Sequence, residues 1–417
     1  MDTPPRTVYP PAVLDLGVTY HASALGPLRN VAWTIPVGVS AVVGPNRVGK
    51  STLLKLPEFL RIAVTEDLET AVRDIFKGSA FLRNFTLPAS APCNVGLSIT
   101  GVQGEQLTWT VELSPTRGSV ARFPTERLSI NDFTLAERKF GSDSITILDE
   151  IIKAGPRLIP GFALDDSSKD TTLPTSEIFP NLLKDKKAAH AAGLLLGARV
   201  AASASYRTYE YQILHLLRYG SPQSPATTLQ SSGENVFPLL RNWRDQSELE
   251  PRFVFVLDTL REAFPHVQKL DFESSGQTVT VSTVDRRWNN KVPIAFESTG
   301  LITALLQLCA VASTPDDGLV TIDELETSLH PHAIRVLIAA FRRWAKEHRL
   351  RIVLATQSET VLDQFRDEPE KIFVMESRQD TSPQRLTDMF GADWLKQFSL
   401  GDLFGHLEFG APDLPES

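Results

Sequence analysis

Cysteine is scarce in this chain, with two residues, Cys93 and Cys309, among 417. They lie far apart in sequence, and Cys309 belongs to the apolar run 305–311, which predicts a buried thiol. Two distant cysteines provide neither a disulfide framework nor a cysteine-rich zinc site, and this usage is typical of a reducing compartment. We therefore expect a cytoplasmic protein.

Long apolar segments and an excess of basic residues are also missing. The hydrophobic runs are too short and too interrupted to span a bilayer, and residues 1–5 lack the features of a signal peptide. The net charge of −8 argues against a surface that coats nucleic acid as a whole, although a local basic groove is compatible with it. A length of 417 residues leaves room for one large domain or for two to three smaller ones. These bounds favour a soluble globular protein without a membrane partner.

The most informative segment is residues 42–52, VVGPNRVGKST, which has the G-x-x-x-x-G-K-[ST] spacing of a phosphate-binding loop. A β-branched run precedes it and an apolar helical pattern follows it, which is the strand–loop–helix context that the motif requires. The loop's N–H groups and the positive end of the following helix attract phosphate. We expect Lys50 to reach the β- and γ-phosphates of a nucleoside triphosphate and Ser51 to bind Mg²⁺. The residues expected at the nucleotide are Gly44, Pro45, Asn46, Arg47, Val48, Gly49, Lys50, Ser51 and Thr52.

A second candidate segment is residues 318–324, GLVTIDE, an apolar and β-branched strand that ends in two acids. A buried central strand delivers such carboxylates to the carboxyl edge of a parallel sheet, where ligands bind in open α/β folds. We expect Asp323 to hold Mg²⁺ and Glu324 to act as the general base for a water that attacks the γ-phosphate. The alternative is a solvated acidic turn after a strand.

Two further segments follow the same logic. The apolar strand 352–356 ends at Gln357, whose side chain we expect at the γ-phosphate or at the attacking water; the alternative is that Gln357 satisfies only loop backbone groups. Ser298, Thr299 and Gly300 open a nearly all-apolar helix that runs through Val311, and small residues at a helix N-terminus form an anion site. The alternative for this segment is a plain helix N-cap.

The rest of the chain gives a coarse secondary-structure pattern with no internal repeat and no sustained heptad. The polar stretches 165–176 and 220–233 are predicted to be loops. The periodicity predicts short strands in 12–43, helix in about 52–76, antiparallel hairpin strands in 95–113, mainly helix in 130–270 and strands again in 277–296.

Taken together, these segments resemble the ABC-type ATPase heads of the RecF/SMC/OLD group. Residues 322–331, IDELETSLHP, are similar to the group's DE-x-E-x-x-LHP segment, and residues 355–358, ATQS, are similar to its switch. Residues 393–403 are similar to the tail of stand-alone bacterial members. Gln357 stands where many relatives have histidine, Arg47 replaces a frequently small residue, and no glutamine is assigned to the group's Q-loop.

The resemblance implies an α/β P-loop NTPase fold of the ABC-ATPase type, with a mixed central sheet, an antiparallel β lobe and a helical insertion. It also implies a homodimer in which Ser298, Thr299 and Gly300 of one protomer close on the ATP that Lys50 of the other protomer holds. The predicted ranges are an N-terminal ATPase lobe with the antiparallel β lobe in 1–135, a mainly helical insertion in 136–270 and a C-terminal ATPase lobe in 271–417.

The expected activity is slow, Mg²⁺-dependent hydrolysis of ATP. About 40 residues follow the last core strand, too few for the Toprim nuclease of the OLD branch. The stand-alone form resembles the ATPase subunits of bacterial anti-phage defence systems, which act with a separately encoded effector such as a nuclease or toxin, and a DNA or RNA contact is compatible with it. The alternatives are a transporter's nucleotide-binding subunit and an SMC-like DNA-binding or repair ATPase. A transporter subunit would carry a fuller signature, and an SMC protein would carry a long coiled coil.

Overall fold

A computed structural model provides the structure of the chain and describes residues 17–88, 91–101, 104–113, 124–148, 150–153, 158–160, 186–376, 382–395 and 397–407. The predicted loop at 165–176 lies outside these ranges. The chain forms two compact units, which we call unit 1 (Met1–Ile35 and Glu58–Ala201) and unit 2 (Pro36–Pro57 and Ala202–Ser417). The three domain ranges predicted from the sequence, 1–135, 136–270 and 271–417, remain predictions.

Unit 1 contains an eight-stranded antiparallel sheet with the strand order β2-β1-β4-β5-β6-β7-β8-β9. Alternate residues of β5, among them Leu107, Trp109 and Val111, are buried, as expected for a sheet with one covered face. The strands are β1 (Gly17–Leu25), β2 (Leu28–Ile35), β4 (Cys93–Thr100), β5 (Gln106–Leu113), β6 (Thr125–Ile130), β7 (Phe133–Arg138), β8 (Ser144–Ile147) and β9 (Glu150–Lys153).

The hairpin predicted within residues 95–113 is confirmed, because β4 pairs antiparallel with β5. The prediction of helix in the first part of 130–270 is wrong, since β7, β8 and β9 occupy residues 133–153. Each of these short segments gains its backbone partners from a neighbouring strand, a tertiary effect that local periodicity does not report.

Helix α1 (Lys50–Thr65) includes residues of both units, and α2 (Leu68–Phe76) and α3 (Lys186–Ala201) belong to unit 1. The single helix predicted over about 52–76 is divided in two at Asp67. The Asp67 side chain accepts a 2.7 Å hydrogen bond from Thr70 N and so caps α2.

A buried carboxylate joins three parts of unit 1. Glu126 on β6 and Arg138 on β7 are fully buried and lie opposite each other in register, with 3.3 Å between Glu126 Oε2 and Arg138 Nε. Glu126 Oε1 accepts hydrogen bonds from Trp109 Nε1 (2.8 Å) and from the backbone N–H of Ile159 (2.6 Å). Burial raises the pKa of Glu126 to about 7, against the opposing effect of Arg138. This carboxylate therefore ties the segment at Ile159 to the sheet.

Unit 2 is built on a six-stranded sheet with the order β10-β15-β16-β3-β17-β18. The first five strands in this order are parallel to their neighbours, and β18 pairs antiparallel with β17. The strands are β3 (Gly38–Val43), β10 (Ser203–Arg207), β15 (Leu319–Asp323), β16 (Arg351–Ala355), β17 (Ile372–Val374) and β18 (Gln384–Arg385). All five residues of β15 and of β16 are buried, as expected for central strands whose sequences are largely apolar.

A smaller antiparallel sheet and most of the described helices complete unit 2. The sheet strands predicted in 277–296 are present, and the predicted loop 220–233 contains only the two-residue strand β11. The strands are β11 (Ser221–Pro222), β12 (Val267–Ser275), β13 (Thr278–Asp285) and β14 (Lys291–Pro293). The helices are α4 (Ile213–Tyr219), α5 (Val236–Asp245), α6 (Glu250–Ala263), α7 (Thr299–Ser313), α8 (Pro331–His348), α9 (Glu359–Asp363), α10 (Leu386–Met389), α11 (Ala392–Leu395) and α12 (Leu400–Leu407).

Helix α7 is at the centre of the core of unit 2, and every residue from Gly300 to Ser313 is buried. Both cysteines are buried and free, which confirms the prediction for Cys309. Within the described ranges, no helix combines the length and apolar character needed to cross a membrane.

Candidate nucleotide site

The predicted site segments of unit 2 leave the central sheet at the same edge. Asp323 of β15 is in register with Ala355 of β16, and Ala355 is in register with Val42 of β3. Because neighbouring strands are about 4.8 Å apart, the last residues of β15 and β3 are roughly 10 Å apart. The phosphate loop, Glu324 and Gln357 all follow directly from these strand ends, which is where open α/β sheets bind ligands.

The phosphate loop lies between β3 and α1, which is the strand–loop–helix context that its sequence predicts. Helix α1 begins at Lys50, and the Lys50 ammonium donates hydrogen bonds to the carbonyl oxygens of Gly44 (2.6 Å) and Pro45 (2.9 Å). Gly44 has φ +154°, and a Cβ at this position would lie 2.4 Å from the carbonyl oxygen of Met375. Only glycine fits there, because any side chain would collide with the backbone of Met375.

Lys50 lies within electrostatic reach of both predicted acids. Burial lowers the pKa of Lys50, while Asp323 and Glu324 act in the opposite direction. Lys50, Asp323 and Glu324 are therefore close enough to interact electrostatically within unit 2. The roles assigned to these side chains stay predictions.

The face on which Asp323 lies also fits the predicted metal site. Thr321 Oγ1 donates a 2.9 Å hydrogen bond to the carbonyl oxygen of Leu54 in the first turns of α1. Asp323 is two residues further along β15 and therefore projects to the same face as Thr321. Ser51 lies one turn before Leu54 on that helix. Hydroxyl and carboxylate oxygens are suitable ligands for Mg²⁺, which usually also keeps water and phosphate oxygens.

The two acids differ in their surroundings. Asp323 is buried, whereas Glu324 is exposed and has a left-handed backbone with φ +59°. The Glu324 N–H donates a 3.1 Å hydrogen bond to the carbonyl oxygen of Ala355. Partial desolvation raises the pKa of Glu324, and the negative charges of Asp323 and Glu326 add to this effect while Lys50 opposes it. A carboxylate with a raised pKa is a stronger base than an ordinary glutamate.

The switch residue Gln357 contacts the phosphate loop directly. Its Nε2 donates a 2.7 Å hydrogen bond to Oδ1 of Asn46. The side chain thus contacts another side chain, whereas the alternative interpretation assigned it only to loop backbone groups. The segment 355–358 and the phosphate loop are therefore joined within unit 2.

The Ser298–Gly300 segment forms the N-terminus of α7. Ser298 is the N-cap, and its Oγ accepts a 3.2 Å hydrogen bond from Leu301 N, so the simpler N-cap interpretation describes this structure. Ser298 and Thr299 are exposed and Gly300 is buried. A Cβ on Gly300 would lie 2.5 Å from the carbonyl oxygen of Ser328, so the helix start packs tightly on the turn after Glu324. A role for these residues at a second protomer's nucleotide stays a prediction.

Several side chains beside Asp323 were not predicted. Arg207, at the end of β10, is in register with Asp323, is nearly fully buried and forms a 3.1 Å ion pair with Glu210. Thr208 Oγ1 lies 3.0 Å from the carbonyl oxygens of both Asp323 and Glu324. Gln307 Nε2 donates a 2.9 Å hydrogen bond to the carbonyl oxygen of Leu325. A sequence signal existed only for Gln307, the single amide side chain in a nearly all-apolar helix.

A model of one protein family matches residues 39–363, and its description is "AAA domain, putative AbiEii toxin, Type IV TA system". No curated protein matches the chain in sequence. Solved structures with a similar fold include the SMC head domain from Thermotoga maritima, with 12% identity, coverage of 84% of this chain and 92% of that chain, and a TM-score of 0.40.

Two further similar structures contain a bound partner. An SMC head bound to the C-terminal winged-helix domain of ScpA has 12% identity, coverage of 90% of this chain and 99% of that chain, and a TM-score of 0.49. An SMC head with an extended coiled coil, bound to the C-terminal domain of ScpA from Pyrococcus furiosus, has 12% identity, coverage of 88% and 95%, and a TM-score of 0.44. At this identity the likeness concerns the fold alone.

Proposed function

Because the chain belongs to this AAA domain family, we propose that it binds and hydrolyses ATP with Mg²⁺ and that ATP-driven dimerisation controls a partner. Its fold is that of a P-loop NTPase of the ABC and SMC-head type, as the sequence predicts. The observation that carries the proposal is the convergence of Lys50, Asp323 and Glu324 at one edge of the central sheet of unit 2.

Each part of the reaction has a side chain suited to it. Lys50 exchanges the carbonyl oxygens of Gly44 and Pro45 for the β- and γ-phosphate oxygens of ATP. Ser51 and Asp323 would hold Mg²⁺, which would neutralise charge on the phosphate oxygens. Glu324 takes a proton from water as the water oxygen bonds to the γ-phosphorus and the bond to the ADP oxygen breaks. Gln357, already in contact with Asn46, lies beside that water or the γ-phosphate.

The dimer is supported by the position of Ser298 and Thr299. Both are exposed at the positive end of α7, so their N–H groups and hydroxyls can meet an anion that another protomer presents. The family description adds a toxin–antitoxin context, which agrees with a separately encoded effector, a nuclease or toxin, as the partner. We propose that control of this effector serves bacterial anti-phage defence. Control of a contact with DNA or RNA is the second form that we propose for the action of the dimer.

Binding and dimerisation can be tested separately with two substitutions. We expect Mg²⁺–ATP to stabilise the native chain, by about 2.7 kcal/mol at 100 times its Kd, and to double the mass of the 46.1 kDa protomer. Lys50→Ala should lose both effects, whereas Lys346→Ala, an exposed control on α8, should keep both. Ser298→Arg should keep the stabilisation and stay monomeric. Thermal unfolding and light scattering measure the two effects.

Each outcome decides one part of the proposal. A native chain that ATP does not stabilise would refute nucleotide binding. A Ser298→Arg protein that doubles its mass as the native chain does would refute the role of Ser298 at the dimer interface, with ATP binding left intact.

The raised pKa of Glu324 leads to an expected pH dependence. A general base must be deprotonated, so turnover falls as the pH drops through the pKa of its carboxyl group. Because the pKa of Glu324 lies above its ordinary value, we expect the acid-side loss of kcat to begin at higher pH than for an unperturbed glutamate, whose pKa is about 4.3. A profile of kcat against pH measures this limb. A kcat that stays constant down to about pH 4.3 would contradict the assignment.

A further inference from the structure

The turn after β15 contains a third carboxylate that the proposed reaction does not use. Glu326, two residues after Glu324, accepts two hydrogen bonds at the same oxygen, Oε1: one from Thr356 Oγ1 (2.9 Å) and one from the backbone N–H of Gln357 (3.1 Å). Both donors belong to residues 355–358, which we call the switch segment and which begin at the last residue of β16. Glu326 therefore connects the turn after one strand with the turn after its neighbour.

The switch segment is held from three sides. The Thr356 N–H donates a 3.2 Å hydrogen bond to the carbonyl oxygen of Val42, and the Ser358 N–H donates a 2.9 Å hydrogen bond to Thr356 Oγ1. Gln357, between them, is fixed at its backbone by Glu326 and at its side chain by Asn46. With its backbone fixed, the Gln357 amide is oriented towards the phosphate loop.

The second oxygen of this carboxylate is unusual. Glu326 Oε2 is buried, and no group in the described part of unit 2 donates a hydrogen bond to it. Such an arrangement costs free energy, because a buried carboxylate oxygen loses its water without replacement. The two hydrogen bonds that Oε1 accepts offset part of this cost. We therefore expect the position of the switch segment to depend on these two hydrogen bonds.

We propose that Glu326 is a positioning residue for ATP hydrolysis, which holds Gln357 so that its side chain contacts the phosphate loop at Asn46. This inference rests on the proposed ATPase function and adds a residue to which neither the motif nor the resemblance assigned a role. Glu326 acts through Gln357 and does not itself touch the nucleotide.

The test compares Glu326→Ala, which removes both contacts, with Glu326→Gln, whose amide oxygen can still accept them. In Glu326→Ala we expect hydrogen exchange of the Gln357 N–H to accelerate by about 10–100-fold without nucleotide. We expect kcat for ATP to fall by about 10–100-fold with KM within about twofold, because the switch side chain is misplaced. Glu326→Gln should stay within about threefold of the native chain in both measurements.

Two more variants separate positioning from other effects. Thr356→Val removes one donor to Glu326 Oε1, and adding Glu326→Ala to it should cost less than the sum of the two separate changes. Glu347→Ala removes an exposed carboxylate of α8 and should change neither exchange nor kcat.

Three results would overturn the proposal. Native exchange at Gln357 in Glu326→Ala would show that the contact does not hold the segment. Faster exchange with native kcat would show that the contact does not matter for turnover, and equal losses in Glu326→Gln and Glu326→Ala would assign the effect to charge. A native chain that hydrolyses no ATP would refute the ATPase function itself, and this failure is visible before any variant is compared.

Discussion

Glu324→Gln is expected to bind ATP as the native chain does and to turn it over about 10²–10⁴-fold more slowly, the usual contribution of a general base. The substitution keeps the size of the side chain and removes the ability to take a proton. Glu324 is exposed, so the change does not disturb the core. Its N–H bond to the Ala355 carbonyl oxygen belongs to the backbone and persists. The loss should therefore appear in kcat rather than in ATP binding.

The same variant should collect in the ATP-bound state. If dimerisation requires ATP and hydrolysis ends it, Glu324→Gln accumulates a stable dimer in Mg²⁺–ATP, whereas the native chain forms one that decays with turnover. Glu347→Gln on α8 is the matched control for a loss of one carboxylate. Phosphate release and light scattering on the same samples report the two effects. Native turnover in Glu324→Gln would exclude this residue as the base, and Asp323 would then be the next carboxylate to test.

The parts of the site that the sequence predicts are those whose residues are contiguous. The phosphate loop and the acidic strand each place a strand end, a turn and the functional side chains within about ten residues, so spacing alone reports their chemistry. The parts that were missed come from pairing between distant segments. Arg207 and Thr208 reach Asp323 because β10 pairs with β15. No local signal in the sequence separates β10 from the helical pattern that precedes it.

The hydrogen bond between Glu326 and Gln357 was not predicted either, although both residues belong to segments that the sequence analysis singled out. The residues of both segments were visible as motif positions, but the bonds between them depend on the register of β15 with β16. Glu126 is a case in which a signal was present. It shares an alternating strand with Leu128 and Ile130, both buried, so the period of two places a carboxylate on the covered face of the sheet.

That buried carboxylate leads to the largest expected effect on stability. Glu126→Ala removes the acceptor for Trp109 Nε1 and for the Ile159 N–H and takes away the carboxylate that faces Arg138. Breaking a fully buried pair typically costs about 3–5 kcal/mol in free energy of unfolding. We expect a loss of this size for Glu126→Ala, measured by urea unfolding at pH 8.

The same two strands offer a control of matched geometry. Arg127 and Glu137 are the neighbouring cross-strand pair, 2.7 Å apart, with side chains 55% and 27% exposed. Because water screens such a pair, Glu137→Ala should cost only about 0.2–1 kcal/mol. Equal losses in the two variants would mean that burial does not set the contribution of Glu126.

The pH dependence of unfolding provides an independent check on the same residue. The pKa of Glu126 is about 7 in the folded chain and about 4.3 in an unfolded chain, so between these values the folded state holds a proton that the unfolded state has released. The Glu126 contribution to stability is therefore greatest below the lower value and falls as the pH rises through 7. Glu126→Ala should lose this part of the slope, and the difference in stability between it and the native chain should be larger at pH 5.5 than at pH 8. A difference that is constant across this range would show that the carboxyl group titrates alike in the folded and unfolded chains.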